Sequence, residues 1–221
     1  MKIKSTITAA LLAASSFLLA QTEQGLLLSL QQLPDQSWGV FMKPGEALSP
    51  SHKTVMGTGQ VTLVTPSRFE YSNFKNHAGS WVENARVNNP IEAFGKSYVS
   101  FGFVTDLPKS HIAAGEETLL FSFTADEKFS GQLYLIDNNS DDPFLPPNSL
   151  STNPGNELSM VDIGDRKNIK KYFYAGNYIP ENQAKPVFAN KGDKTENAKN
   201  KLGKNGKEER VVLNSLEEEQ D

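Results

Sequence analysis

Ile112-Ala-Ala-Gly-Glu-Glu-Thr-Leu-Leu-Phe-Ser-Phe-Thr124, a short charged gap, and Ser130-Gly-Gln-Leu-Tyr-Leu-Ile-Asp137 are two runs apolar enough to sit inside a sheet. Each run is short, rich in aromatic and branched residues, and bounded by Gly or charge, which is how a buried β-strand reads. The spacing predicts two strands joined by a turn, at the centre of a sheet. Leu119, Phe121 and Phe123 fall on one face and Leu120 and Ser122 on the other.

The same pattern extends outward from this pair. Gly25 to Leu33 is apolar and closed by Pro34-Asp35; Trp38 to Met42 runs into the turn signal Lys43-Pro44-Gly45. Gly57 to Val64 alternates, with Val61 and Leu63 on one face and Gln60, Thr62 and Val64 on the other. Arg68 to Tyr71 is extended, and Asn73 to Gly79 is turn-rich. Ser80 to Val87 and Ser97 to Val104 are strands, the second burying Val99, Phe101 and Phe103. Pro90 to Phe94 is a connection. After a proline- and asparagine-rich loop (138–156), Leu158 to Ile163 is the last strand expected. Short strands with turn chemistry between them, and no amphipathic helix, predict an all-β fold: a two-sheet antiparallel β-sandwich of immunoglobulin-like or jelly-roll kind over residues 21–164. Residues 165–184 read as a transition segment. Residues 185–221 read as a charged, disordered tail, because 16 of these 37 residues are charged and the only ring is Phe188. Within it, Val211, Val212, Leu213 and Leu216 are the one apolar group.

Lys2 and Lys4 followed by the apolar run Ile7–Ala20 read as a signal peptide, residues 1–20, with cleavage after Ala20. The competing reading is a membrane anchor, but the run has 14 residues and carries Thr8, Ser15 and Ser16. Beyond it no segment is long and apolar enough to span a bilayer. The protein is therefore expected to be exported, to the periplasm, the cell surface or the medium. Losing Lys2 and Lys4 leaves 20 basic against 26 acidic residues, a balance that does not call for nucleic acid. There is no cysteine, which removes zinc–thiolate sites and thiol nucleophiles.

Candidate chemistry is sparse. Asp137, Asn139, Asp141 and Asp142 place oxygen ligands as the start of a calcium loop does, but an EF-hand needs Gly at the sixth position and Glu at the twelfth, where Asp142 and Asn148 stand. The alternative is a loop that uses Asn and Asp for its turns. His52, His77 and His111 fall in loops, and no Gly-x-Ser-x-Gly elbow is present. Glu116 and Glu117 adjoin at a strand start and point apart, so they do not form a carboxylate pair across a glycosidic bond. Trp38, Trp81, Tyr71 and Tyr98 are candidate platforms for sugar stacking, with core packing as the competing role. Lys167 to Tyr178 mixes bases with aromatic residues, read as a strand edge or packing extension.

Taken in order, Val-Thr-Leu-Val-Thr-Pro-Ser-Arg-Phe (61–69), Gly79-Ser80-Trp81, Tyr98-Val-Ser-Phe-Gly-Phe, Ala114-Gly-Glu-Glu-Thr-Leu-Leu-Phe-Ser-Phe, Asp142-Pro-Phe-Leu-Pro-Pro-Asn-Ser and Asn153-Pro-Gly-Asn form a set. It resembles the cohesin-like β-sandwich modules of secreted and surface proteins of Bacteroidota, over about Leu26 to Ile163. The resemblance implies a non-catalytic surface or adhesive domain, often placed ahead of a C-terminal sorting domain. This chain departs there, with no sandwich-sized segment after Ile163. The expected function is thus a secreted, non-enzymatic interaction or adhesion module binding a cell-surface protein or itself. The alternative is a carbohydrate-binding module, calcium-assisted through the 137–142 loop, with polysaccharide as the partner.

Overall fold

Short apolar and aromatic runs, buried on one face or on both, make the strands between Leu26 and Asn177. A computed structural model describes residues 25–46, 48–126 and 132–180; the leader and the charged tail lie outside the described residues. Every regular element among them is a strand: β1 (Leu26–Gln32), β2 (Trp38–Pro44), β3 (Thr54–Pro66), β4 (Tyr71–Asn76), β5 (Ser80–Asn88), β6 (Lys96–Thr105), β7 (Thr118–Ala125), β8 (Tyr134–Leu135), β9 (Glu157–Asp162) and β10 (Lys170–Asn177). They form a sandwich of two layers, β4-β7-β2-β1 and β10-β9-β3-β6-β5, with β8 added to β3. The layers share one continuous hydrogen-bonded path, so the sandwich is nearly closed, like a barrel.

Three features depart from the sequence reading. The two central runs do not form a hairpin: β7 lies between β2 and β4, while β8 is only two residues long and pairs with β3 in the opposite layer. The Asn73–Gly79 stretch supplies most of a strand, β4. Its ladder skips between Ser72 and Lys75, and Asn73 sits at φ 52°, which is why the segment reads as a turn. The expected transition segment contains β10, so the sheets do not end at residue 164.

β10 is the corner of the sandwich. Its first half, Lys170–Phe173, runs antiparallel to β9; from Tyr174 it leaves that partner and runs parallel to β1. A strand that changes sheets in this way is a standard means of turning a corner. Among the described residues this is the one parallel pair, and every other pairing is antiparallel.

The interior between the layers is aromatic. Phe101 and Phe121 have ring centroids 4.9 Å apart, and Phe74 stacks on Phe101 at 5.3 Å. Trp81 is buried, and its indole N–H donates to the Ala78 carbonyl at 2.9 Å. Gly59 makes room for it: a methyl group there would fall 2.6 Å from the indole ring. At the two ends of the path, side chains replace a ladder. Asn76 of β4 bonds both the N–H and the carbonyl of Trp81. The Tyr71 hydroxyl donates to Glu83 at 2.9 Å, and Arg86 donates to Glu83 and to the Phe69 carbonyl.

A second, smaller core lies on the outer face of β3 and β6. Here Tyr98 and Val64 point away from the main interior and are buried against Ala93, Ile136 and Phe144. The loops 90–95 and 136–156 cover them.

Candidate functional site

The end of the sandwich that carries those loops is where the sequence-selected residues come closest to one another, and its chemistry is that of a brace. Tyr98 is 1% exposed, and its hydroxyl donates to Asp142 Oδ1 at 2.6 Å. The same oxygen accepts the Phe144 N–H at 3.0 Å, and Lys96 Nζ lies 3.4 Å from Asp142 Oδ2. Lys96 also donates to the Tyr134 hydroxyl at 3.0 Å. Burial, then the bond to Asp142, pushes the Tyr98 hydroxyl far up, so it remains a donor. Burial disfavours the Lys96 charge, but the Tyr134 hydroxyl and Asp142 outweigh it and raise its pKa.

Two of the four calcium candidates are engaged in hydrogen bonds. Asp142 is committed to Tyr98, Phe144 and Lys96, and Asp137 Oδ1 accepts the Asn139 N–H at 2.9 Å in a local turn. Asp141 is exposed on the same loop. Among the described residues no three His, Cys, Asp or Glu side chains converge on a point that would hold a metal.

For the four candidate rings, core packing, the competing role, is what the strands give. Trp81 and Tyr98 are interior, because each lies on a strand face covered by another layer. Trp38 and Tyr71 are half-buried and packed on the main core; Tyr71 is tilted 5.6 Å from Phe101, with the Arg86 guanidinium over its ring. The four rings therefore share no open plane.

The histidines divide. His52 and His111 are exposed in loops, while His77 Nε2 lies 2.8 Å from the Ser122 hydroxyl on β7. Burial, then Lys75, holds the His77 ring below its ordinary pKa and therefore neutral at pH 7. Among the described residues the bond to Ser122 is the side-chain hydrogen bond that this ring makes. Glu117 accepts the Tyr178 hydroxyl at 2.8 Å and the Gln31 amide at 3.1 Å, and its neighbour Glu116 faces solvent.

What the sequence reading passed over is the tip of the brace. The β5–β6 loop, read only as a connection, exposes Ile91 at 84% and Phe94 at 86%. It is held firmly: Asn89 accepts the Gly95 N–H at 2.6 Å, Ser67 donates to the Gly95 carbonyl at 2.9 Å, and Glu92 accepts the Ser149 N–H. Gly95 sits at φ 85°, open to a glycine without strain. The bond to Ser149 brings in the neighbouring loop with its exposed Leu150. Asn148 fixes that loop by donating to the Phe144 and Thr152 carbonyls, both at 2.8 Å. The available signal was two large apolar residues inside a Pro90–Gly95 loop, where polar residues are the norm. A rigid loop presenting bare aliphatic and aromatic side chains is suited to insertion into an apolar pocket. No family model matches this sequence, and the searches of curated proteins and of solved structures returned no match.

Proposed function

We propose that the protein is an exported, non-enzymatic interaction module that binds a protein partner through the β5–β6 tip, with Ile91 and Phe94 as anchors. The observation that carries this reading is the exposure of those two side chains on a loop fixed by hydrogen bonds at both ends. Pre-ordering matters because a mobile loop would lose affinity to the entropy of being fixed on binding. The expectation of a surface or adhesive domain, drawn from the likeness to cohesin-like modules, points the same way. The leader-like run Ile7–Ala20 places the partner outside the cytoplasm in this reading.

The test is affinity capture from envelope fractions and from polysaccharide, using the chain from Gln21 onward and a double variant, Ile91→Ser with Phe94→Ser. A protein retained by the natural chain and lost with the variant supports the proposal. Retention only on polysaccharide, competed by free sugar, replaces it with the carbohydrate reading and Phe94 as the stacking ring. Equal retention by both chains overturns the assignment of the tip.

A further inference from the structure

The turn between β9 and β10 carries a second exposed surface of different chemistry. It lies at the opposite end of β3: Thr54 pairs with Asp162 beside this turn, whereas Pro66 pairs with Lys96 beside the β5–β6 tip. At about 3.3 Å per residue the 13 residues of β3 separate the two by roughly 40 Å. Met160, Asp162 and Tyr172 are buried, so alternation turns Val161, Ile163 and Phe173 outward. Val161 pairs with Val55 on one side and Lys171 on the other, and Ile163 and Ile169 follow immediately beyond the last ladder pair. Ile169 is 54% and Phe173 59% exposed, with Val55 and Ile163 also open to solvent.

Bases surround this apolar strip. Arg166, Lys167, Lys170 and Lys171 are exposed on the hairpin, and Lys53 is exposed beside it, its carbonyl accepting the Ile163 N–H. Of the three acids in the hairpin, Glu157 lies at the far end of β9 from the turn, and Asp162 is buried and occupied by the Ser51 N–H at 2.7 Å and the Ser51 hydroxyl. Asp165 faces solvent and accepts the Lys167 N–H at 2.9 Å. The surface is therefore locally cationic on a chain whose formal charge is −4.

We propose that the β9–β10 hairpin docks on an anionic lipid surface, with Ile163, Ile169 and Phe173 entering the headgroup boundary and the surrounding lysines set against lipid phosphates. Exposed apolar side chains ringed by Lys and Arg are the composition of interfacial membrane binding. Protein interfaces, by contrast, are depleted of Lys and enriched in Arg and aromatic residues, whereas four of the five bases here are Lys. That contrast favours lipid over an acidic protein. The inference does not depend on the partner proposed for the β5–β6 tip.

The experiment is co-sedimentation of the chain from Gln21 onward, which removes the apolar leader, with phosphatidylcholine vesicles with and without phosphatidylglycerol. Binding is expected only with phosphatidylglycerol and should fall as salt is added. Lys167→Gln and Lys171→Gln are each expected to weaken it about fivefold, the share of one base near a charged surface. Phe173→Ser should weaken it about tenfold or more through lost apolar burial. Ile169→Ser is the second apolar variant, and an unchanged thermal midpoint shows that each variant is folded. Ile91→Ser with Phe94→Ser should bind vesicles as the natural chain does, so failure at one surface is distinguishable from failure at the other. Equal sedimentation with both vesicle types, no sedimentation, or lipid binding untouched by the hairpin variants overturns the proposal. So does binding of soluble polyglutamate that survives Phe173→Ser without vesicle binding, which marks an acidic-protein site.

Discussion

The two ends of β3 expose similar amounts of apolar side chain and hold them in different ways. At the β5–β6 tip the support is a set of side-chain bonds over a private core, and the nearby Lys96 is countered by Asp142 and Tyr134. At the β9–β10 hairpin the support is the ladder itself together with Ser51 on Asp162, and the bases around the turn have one solvent-facing acid, Asp165, among them. Exposed hydrophobicity alone therefore does not specify a partner. The charges beside it distinguish a neutral pocket from an anionic surface.

The largest expected effect tests whether the two ends rest on one core. Phe121→Ala opens a cavity beneath both layers and should cost about 3–5 kcal/mol in urea denaturation. Both ends should then lose protection from hydrogen exchange together; loss at one alone would make them separate units. Next, Asp142→Ala leaves the Tyr98 hydroxyl and the Phe144 N–H without their acceptor and takes the counter-charge from Lys96, at a cost of about 2–3 kcal/mol. Its exchange signature should be confined to residues 90–95 and 136–156, with the hairpin unchanged.

A smaller effect belongs to the seam between β4 and β5, midway along the comparison. The Arg86 guanidinium, and then the Tyr71 hydroxyl, hold the Glu83 carboxyl below the ordinary glutamate value of 4.5 despite partial burial. The folded state therefore binds this proton less readily than the unfolded chain. The stability Glu83 supplies is complete above about pH 4.5 and is lost as pH falls through its lower folded value. Glu83→Gln should flatten that acid limb in thermal melts while leaving both ends intact; an unchanged limb would remove the seam as an acid-sensitive element. The smallest effect on stability is at the tip. Phe94→Ser should change unfolding free energy by no more than about 0.5 kcal/mol, because the ring is exposed. A larger loss would mean the ring supports the loop rather than serving a partner.

Strands built on short apolar and aromatic runs were legible: β1, β2, β3, β5, β6, β7 and β9 each fall on a run marked in the sequence. β4 was hidden by Asn73 and its irregular ladder, and β10 fell within a segment read as a strand edge or packing extension outside the sandwich, because Lys170 and Lys171 at its start give no apolar pattern. The false hairpin has a physical origin too. Apolar runs close in sequence favour local pairing, but β8 takes its hydrogen bonds from β3, about 70 residues earlier in a chain where such distant pairings are costly to search for. The brace was not legible for a similar reason: Asp142 meets Tyr98 only after β3 and β6 have paired and their outer face has been covered. Ile91 and Phe94 were visible as an anomaly, yet their exposure depends on the rigid loop beneath them.

The corner strand has a consequence for when this protein becomes itself. Leu26 and Tyr174 are neighbours in the finished sandwich although about 150 residues separate them, which puts one of the longest-range contacts in the closing step and predicts slow folding. During synthesis β1 and β9 lack their shared partner until the chain beyond Lys170 has emerged. The chain therefore remains incompletely folded through most of its synthesis, and the sandwich closes when β10 arrives to join the two layers.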